Sequence, residues 1–429
     1  MKTILILGNG FDLAHSLPTS YRDFLIFCEI INRAFFYQTI SEFDQDLEEH
    51  FGKYPTIKQK LLNEFSLHFP HKKKDYSQIV DEIHDNAIKE FFKMILKNIW
   101  INYFLNLEKS NFYKKNWVDF ETEIFNVIQY LESSPNEDDN SSINKLILNL
   151  KSVNKENKDY EYNTDPLEDD LRRLIRALEI YLTEFVEKIP LDNSQKKFYI
   201  ESIKPDFVLS FNYTNTYEKL YDDNNYGPEY EYIHGFASID NTETTNNMVL
   251  GISESLPDNR KNTDLRFIAF KKYYQRIYKK NGNRYLSWLK ELETNIEKTT
   301  ETNSKLKEHN KSLFNDTNSI TLNQRSQMCE LLEIPQYKLY IWGHSLDSTD
   351  GDVIKKFLCC DNIITTIYYL NNDLDLKEKI SNLVRIIGQE ELISRTGNVQ
   401  TIRFEPIPEW NCISFIYSEM EGICRVFVS

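Results

Sequence analysis

The chain has 429 residues, 41% of them hydrophobic and 27% charged, with a formal net charge of -15. That is enough for a globular protein with a sizeable core and about two or three domains, and too acidic for long-range attraction to nucleic acid or an anionic membrane surface. The six cysteines contain no CxxC pair and the eight histidines form no HExxH or mixed Cys/His cluster, which argues against a protein-built zinc site, so no metal is expected. Residues 1–7 are apolar but the run stops at Gly8, too short for a signal segment, and no other run approaches the roughly 18 residues of a membrane span. A soluble, cytoplasmic protein in a reducing compartment is expected.

Residues 1–7 read as a strand, Gly8-Asn9-Gly10 as a tight turn, and Phe11, Leu13 and Ala14 as the start of a helix. From about 22 to 130 the pattern is long, aromatic and amphipathic, with Trp100, Tyr103, Phe104, Trp117, Phe120 and Ile124 at helical spacings. Residues 133–164 hold two polar runs, read as loops flanking a short helix at 143–150, and the Lys72 to Lys74 run reads as a solvated loop. Asp165, as N-cap, and Pro166 open a helix whose stripe is Leu167, Leu171, Leu174, Leu178, Leu182 and Phe185, ended by Pro190. Short continuous apolar runs at 207–211, 232–234, 338–342 and 365–370 have the character of parallel strands buried on both faces. Residues 255–330 between them are polar and helical, with a stripe of Leu286, Leu289, Leu292 and Ile296; Cys359 and Cys360 fall in an apolar helical stretch.

The fold expected is α/β: a Rossmann-like parallel sheet assembled from residues 1–25, 200–255 and 335–429, with helical insertions at 26–199 and 256–334. In such a sheet a ligand lies beyond the carboxyl ends of the strands, and four sequence blocks fall there. Gly8-Asn9-Gly10-Phe11-Asp12 has the strand–turn–helix context that lets a backbone approach a phosphate. Leu13 stands where a dinucleotide fingerprint has its third glycine, and a turn that only lets the chain leave the strand reads equally well. Ser210-Phe211-Asn212-Tyr213-Thr214-Asn215 offers hydrogen-bonding side chains, with Asn212 able either to position a water or sugar hydroxyl or to cap the next helix. Tyr232-Ile233-His234-Gly235 puts an imidazole at a strand end, as a base or as structure. Gly343-His344-Ser345-Leu346-Asp347, with Asp350 nearby, could hold ribose or phosphate or form a capped turn. Trp117 and Glu121, one helical turn apart, could also face the ligand.

Together, residues 4–15, the run Leu17-Pro18-Thr19-Ser20-Tyr21 and Phe24 resemble the N-terminal signature of the bacteriophage abortive infection AbiH family. Asn116-Trp117-Val118-Asp119-Phe120-Glu121, Phe211-Asn212-Tyr213-Thr214, Ile233-His234-Gly235 and Gly343-His344-Ser345-Leu346-Asp347 follow in that family's order, so the resemblance spans nearly the whole chain. The same blocks are similar, more distantly, to the sirtuin-like fold. That resemblance implies Asn212 and His234 as the catalytic pair and Gly8, Gly10, Pro18, Ser345 and Asp347 as NAD contacts; Asn9, Phe11, Asp12, Thr214, Gly343 and His344 complete the expected ligand set. Asn9 and Asp12 stand where sirtuins have Ala and Ser, and Tyr213-Thr214 replaces their Ile-Asp. No four-cysteine zinc module is present, which points away from deacylation and towards NAD-hydrolysing defence proteins.

The expectation is therefore an NAD glycohydrolase-like effector of phage defence, with Asn212 orienting ribose or water and His234 accepting a proton. The rivals are a nucleotide-binding sensor without chemistry, a nucleic-acid effector disfavoured by the charge, and an interaction protein whose insertions bind a phage protein or another copy of the chain. A phage-derived trigger and a homo-oligomer are the partners that would fit.

Overall fold

The computed structural model describes residues 2–68, 76–111, 119–132, 151–153, 160–162, 164–222, 227–253, 265–312, 329–397 and 400–408. The helix read at 143–150, residues 72–74, Trp117, Cys412 and Cys424 lie outside them. The strands are β1 (Thr3–Leu7), β2 (Lys151–Val153), β3 (Tyr160–Tyr162), β4 (Phe207–Ser210), β5 (Glu229–Tyr232), β6 (Tyr337–Trp342), β7 (Ile363–Tyr369) and β8 (Ile402–Pro406). Six of them form one all-parallel sheet in the order β5-β4-β1-β6-β7-β8, and β2 and β3 pair antiparallel apart from it.

The central strand β1 is buried on both faces, as a parallel sheet covered by helices requires. Ile4 and Ile6 face Phe207, Leu209, Leu339 and Ile341, covered by Trp288 and Leu292 of the Tyr285–Ser312 helix and by Val353, Ile354 and Phe357 of the Gly351–Leu358 helix. Leu5 and Leu7 face the other way, against Val208, Phe11, Tyr217, Ile200 and Trp342. Each such aliphatic side chain contributes about 1.5–3 kcal/mol by leaving water. Register brings Leu7 level with Ser210 and with Trp342, and Ser210 level with Tyr232. The carboxyl ends of β5, β4, β1 and β6 therefore share one edge. The chain runs from β1 to β4 and β5 on one side and returns to β6, β7 and β8 on the other, so β1 is the strand at which the order reverses, where open α/β sheets place ligands.

A third core belongs to the helices between β1 and β4. Phe24, Phe27, Phe43, Phe51, Phe91, Trp100, Phe104, Phe120 and Tyr181 pack there, closed by Met248, Leu250, Phe267 and Phe270 from the segments after β5. The stripe Leu167, Leu171, Leu174, Leu178, Leu182 and Phe185 is buried in it. Thr164, not Asp165, is the N-cap of the Asp165–Glu184 helix, and the helix ends ahead of a 3-10 turn at Val186–Lys188 rather than at Pro190. Among the described helices none is long and apolar enough to cross a membrane.

Other sequence expectations shift as well. β5 is Glu229–Tyr232 rather than 232–234: it is an edge strand whose alternating glutamates disguise it, and His234 falls two residues beyond it. β8 and the β2–β3 pair were not anticipated; β8 carries Arg403 and Glu405 and ends at Pro406, features that suit an edge. Cys359 and Cys360 follow the Gly351–Leu358 helix instead of lying in it, Cys359 being its C-cap.

Candidate functional site

The turn after β1 is packed against the turn after β6, backbone upon backbone. The N–H groups of Gly8, Gly10 and Phe11 donate to Trp342 O, Gly343 O and Gly8 O at 3.1, 2.8 and 2.8 Å. A Cβ on Gly8 would sit 2.5 Å from His344 Cα, one on Gly10 2.9 Å from Gly343 Cα, and one on Gly343 2.4 Å from Phe11 N. Gly343 also has φ +66°, a conformation open to glycine at little cost. The three glycines thus let two strand-end loops touch, and these amides serve main-chain acceptors. Phe11 is core, with His15, Tyr217, Tyr221 and Trp342 around its ring. Asn9 is exposed and exchanges hydrogen bonds with Thr19, and the carbonyl of buried Pro18 accepts from Tyr181 Oη at 2.8 Å.

Beneath this turn lies a carboxyl group with little water. Asp12 is 1% exposed; Thr214 Oγ1 donates to its Oδ2, Thr216 Oγ1 approaches Thr214 Oγ1 at 3.2 Å, and its Oδ1 has no hydrogen-bond partner. Burial pushes Asp12 up from 3.8 to about 6, against the lowering effect of Thr214, Thr216 and Asn212. Asn212, likewise buried, uses its N–H on Ser210 Oγ at 3.1 Å, and its Oδ1 is also unpartnered.

The second half of the site is a buried charge network. Asp350 Oδ1 accepts from His234 Nε2 at 3.0 Å and from Lys272 Nζ at 2.8 Å. Lys272, 1% exposed, also reaches Glu121 Oε2 at 2.7 Å. His344 Nε2 lies 3.6 Å from Asp350 Oδ2, while His344 Nδ1 accepts from Leu346 N–H at 2.8 Å. A carboxylate only accepts and a neutral imidazole carries one proton, so His234 holds its proton on Nε2 and His344 does the same. His234 Nδ1 is left as a buried lone pair without a donor. Lys272 and the two imidazoles hold Asp350 well below the usual carboxylate range although burial opposes this. Glu121 moves up, because burial and the Asp350 charge outweigh the attraction of Lys272. Burial, and then the Lys272 charge, lower His234; burial takes His344 down to about 4. Both imidazoles are neutral at neutral pH.

The loop after His234 closes over these groups. His234 O accepts from Val249 N–H, Tyr213 Oη donates to Val249 O at 2.7 Å, and Tyr213 O accepts from Ala237 N–H. Glu179 of the Asp165–Glu184 helix accepts from Ser238 N–H, Asn241 Nδ2 and Asn246 Nδ2. On the β6 side, Lys379 Nζ and Asn382 Nδ2 hold the carbonyls of His344 and Ser345 at 2.8 and 3.1 Å. Ser345 is exposed and accepts from Asp347 N–H; Asp347 caps the short turn at Ser348–Asp350 by accepting from Thr349 N–H.

The structure therefore gathers Asp12, Asn212, Thr214, His234 and His344 at one edge, and gives Phe11, Pro18, Ser345 and Asp347 interactions within the chain. Lys272 was missed by sequence reasoning: it lies 38 positions after His234 in a Lys-Lys-Tyr-Tyr run that nothing marks out. Among the described residues, the potential metal ligands within reach of one another are Asp46, Glu49 and His50, on the Ile40–Phe51 helix rather than at the strand ends.

Among known proteins, the profile of the family described as bacteriophage abortive infection AbiH matches residues 4–369. No curated protein and no solved structure matches the chain.

Proposed function

The chain belongs to the bacteriophage abortive infection AbiH family, and from that membership and the chemistry of its strand-end groups we propose that it is an antiphage defence effector that hydrolyses NAD. Membership suggests the defence role. The reading of the substrate rests on one observation: Asp12 Oδ1, Asn212 Oδ1 and His234 Nδ1 are buried acceptors without a donor, at the edge where the strand order reverses. Buried acceptors are costly unless a donor arrives. A ribose diol and a water molecule are donor-rich ligands of the right kind. The strand order, renumbered along the chain as 3-2-1-4-5-6, is that of Rossmann-like dinucleotide-binding sheets, which supports a nucleotide as the bearer of that ribose.

In the reaction, the ribose C1′–N bond breaks and its electron pair goes to the pyridinium nitrogen, so nicotinamide leaves neutral. Water adds to the oxocarbenium-like carbon and His234 Nδ1 takes its proton, yielding ADP-ribose. Asn212 Oδ1 holds the ribose hydroxyl or the water in line, a positioning effect, and Asp12 accepts from a second hydroxyl. The Glu179 and Tyr213 contacts keep the resting site covered, so a phage-derived trigger acts by loosening residues 236–250. Nicotinamide release is to be measured with wild type, His234→Ala and Asn212→Ala, with and without lysate from infected cells, after checking that each variant melts as wild type does. We expect release from wild type in at least one condition, and a loss on the order of 10²-fold or more in His234→Ala. Stable NAD everywhere with the nucleotide still bound would replace hydrolysis with sensing.

A further inference from the structure

Asp350 is the hub of the strand-end network, and its connections reach well beyond its own loop. Its Oδ1 accepts hydrogen bonds from His234 Nε2–H and from Lys272 Nζ. Lys272 opens the Lys272–Lys279 helix and is tied through Glu121 to the Phe120–Glu132 helix. His234, on the loop after β5, would otherwise be free to carry its proton on either ring nitrogen. Were that proton on Nδ1, the ring would present a donor to the position where a water or hydroxyl proton has to be accepted.

We propose that Asp350, ion-paired to Lys272, is a positioning residue that fixes His234 in the Nε2–H form and so presents Nδ1 as the base of the hydrolysis reaction. Lys272 has two effects here. It gives Asp350 a partner that survives burial, since an ionised carboxylate without one is expelled or protonated. It also opposes protonation of His234, keeping the ring neutral so that Nδ1 retains its lone pair. The groups that face His234 are Lys272 and Arg276 from the Lys272–Lys279 helix, Asp350 and His344 from the segment after β6, and the Tyr213 and Phe211 rings from the segment after β4. Asp350 alone among them favours the charged imidazole, and two cations stand against it. The arrangement resembles other histidine bases oriented by a buried carboxylate, with a lysine added behind the carboxylate.

The inference rests on the hydrolase reading for its function but not for its test, because the proton position can be read without substrate. The full-length chain labelled with 15N-histidine gives the tautomer and titration of each imidazole, and His234→Gln identifies the signal of His234. In wild type, His234 should be neutral and protonated on Nε2 at pH 7.5. Asp350→Asn should release that preference into a mixture of tautomers, with kcat reduced on the order of 10²-fold or more. Lys272→Met, if it folds, should move the His234 titration and the acid limb of kcat to higher pH; Lys272→Arg keeps the charge and should restore both towards wild type. A proton on Nδ1 in wild type, or an unchanged tautomer in Asp350→Asn, would overturn the assignment. The expected tautomer without NAD turnover in any condition would overturn the hydrolase reading alone and leave Asp350 as the group that orients His234.

Discussion

The turn after β1 is held by backbone against backbone, whereas the Lys272 network beside it is held by side chains drawn from separate parts of the chain. In the turn, Gly8, Gly10 and Gly343 make contact because they lack a Cβ, and the amides of Gly8 and Gly10 donate to main-chain carbonyls. In the network, Glu121, Lys272 and Asp350 meet through charge and neutral His234 joins them by a hydrogen bond, all of them largely buried. The two halves fail differently. A close backbone contact tolerates no added atom but carries no charge, so it is indifferent to pH and sensitive to volume. A buried network tolerates small changes of shape but not the loss of a charge.

The largest effect should come from removing the charge at the centre. Lys272→Met leaves Asp350 and Glu121 facing each other without a cation and should cost about 3–5 kcal/mol, read as a lower denaturant midpoint. Adding Glu121→Gln should recover part of the loss, since it removes one of the two orphaned carboxylates; strictly additive losses would mean that the groups are not coupled. On the turn side, Gly343→Ala combines a positive φ with a Cβ 2.4 Å from Phe11 N, and the contact is expected to cost about 1–3 kcal/mol beyond the backbone term. Gly388→Ala is the matched control: φ is +88° but nothing lies within 4 Å of its Cβ, so only the backbone term of about 1–3 kcal/mol applies. If the two alanines cost the same, contact between the β1 and β6 turns is not what the glycine serves.

The same contrast decides how much was legible in the sequence. Residues 3–14 announce strand, turn and helix because all the information is local, and the carboxyl ends of β1, β4 and β6 could be placed from apolar runs that end in polar or glycine-bearing loops. What the glycines touch was not legible: the motif is equally suited to a phosphate and to another loop, and only the β1–β6 register shows Gly343 there. The placement of His234 and Asn212 just after strand ends could be read from position, but the burial of Lys272 could not be, because a buried lysine differs from an exposed one only in what folds around it. Edge strands were obscured for a related reason, as β5 and β8 carry the charges that keep an edge soluble.

Asp12 sharpens the comparison from between the halves, being packed under the turn yet ionisable. Its carboxyl group, moved from 3.8 to about 6, is destabilising when ionised by up to about 3 kcal/mol. The folded chain binds this proton more tightly than the unfolded chain, so the Asp12 contribution to stability declines as pH rises from about 4 to about 6 and stays lost above. Asp12→Asn should therefore raise Tm at pH 7.5, with the gap from wild type closing towards pH 4, while weakening NAD binding. An amide there can still accept from Thr214 Oγ1. A variant less stable than wild type at pH 7.5 would mean that the hydrogen bonds to the ionised carboxylate outweigh its burial.

The smallest effect has the opposite sign. His15 donates from Nδ1 to Phe11 O at 2.7 Å and accepts at Nε2 from Tyr221 Oη at 2.8 Å, the hydroxyl that in turn accepts from Lys197 N–H. Both ring nitrogens are thus used by the neutral form, and burial lowers His15 from 6.5 to about 4, as it does His344. Here the unfolded chain binds the proton more tightly, so stability from each ring is complete above about 6.5 and is lost as pH falls towards about 4. At pH 5.5 each should cost about 1 kcal/mol, set against the relief from Asp12 over the same range. Wild type should lose Tm between pH 6.5 and 5.5, and Asp12→Asn should lose more, because it lacks the opposing carboxyl group. Equal losses in the two proteins would place the Asp12 titration outside this window and return the turn to being indifferent to pH, as its glycines are.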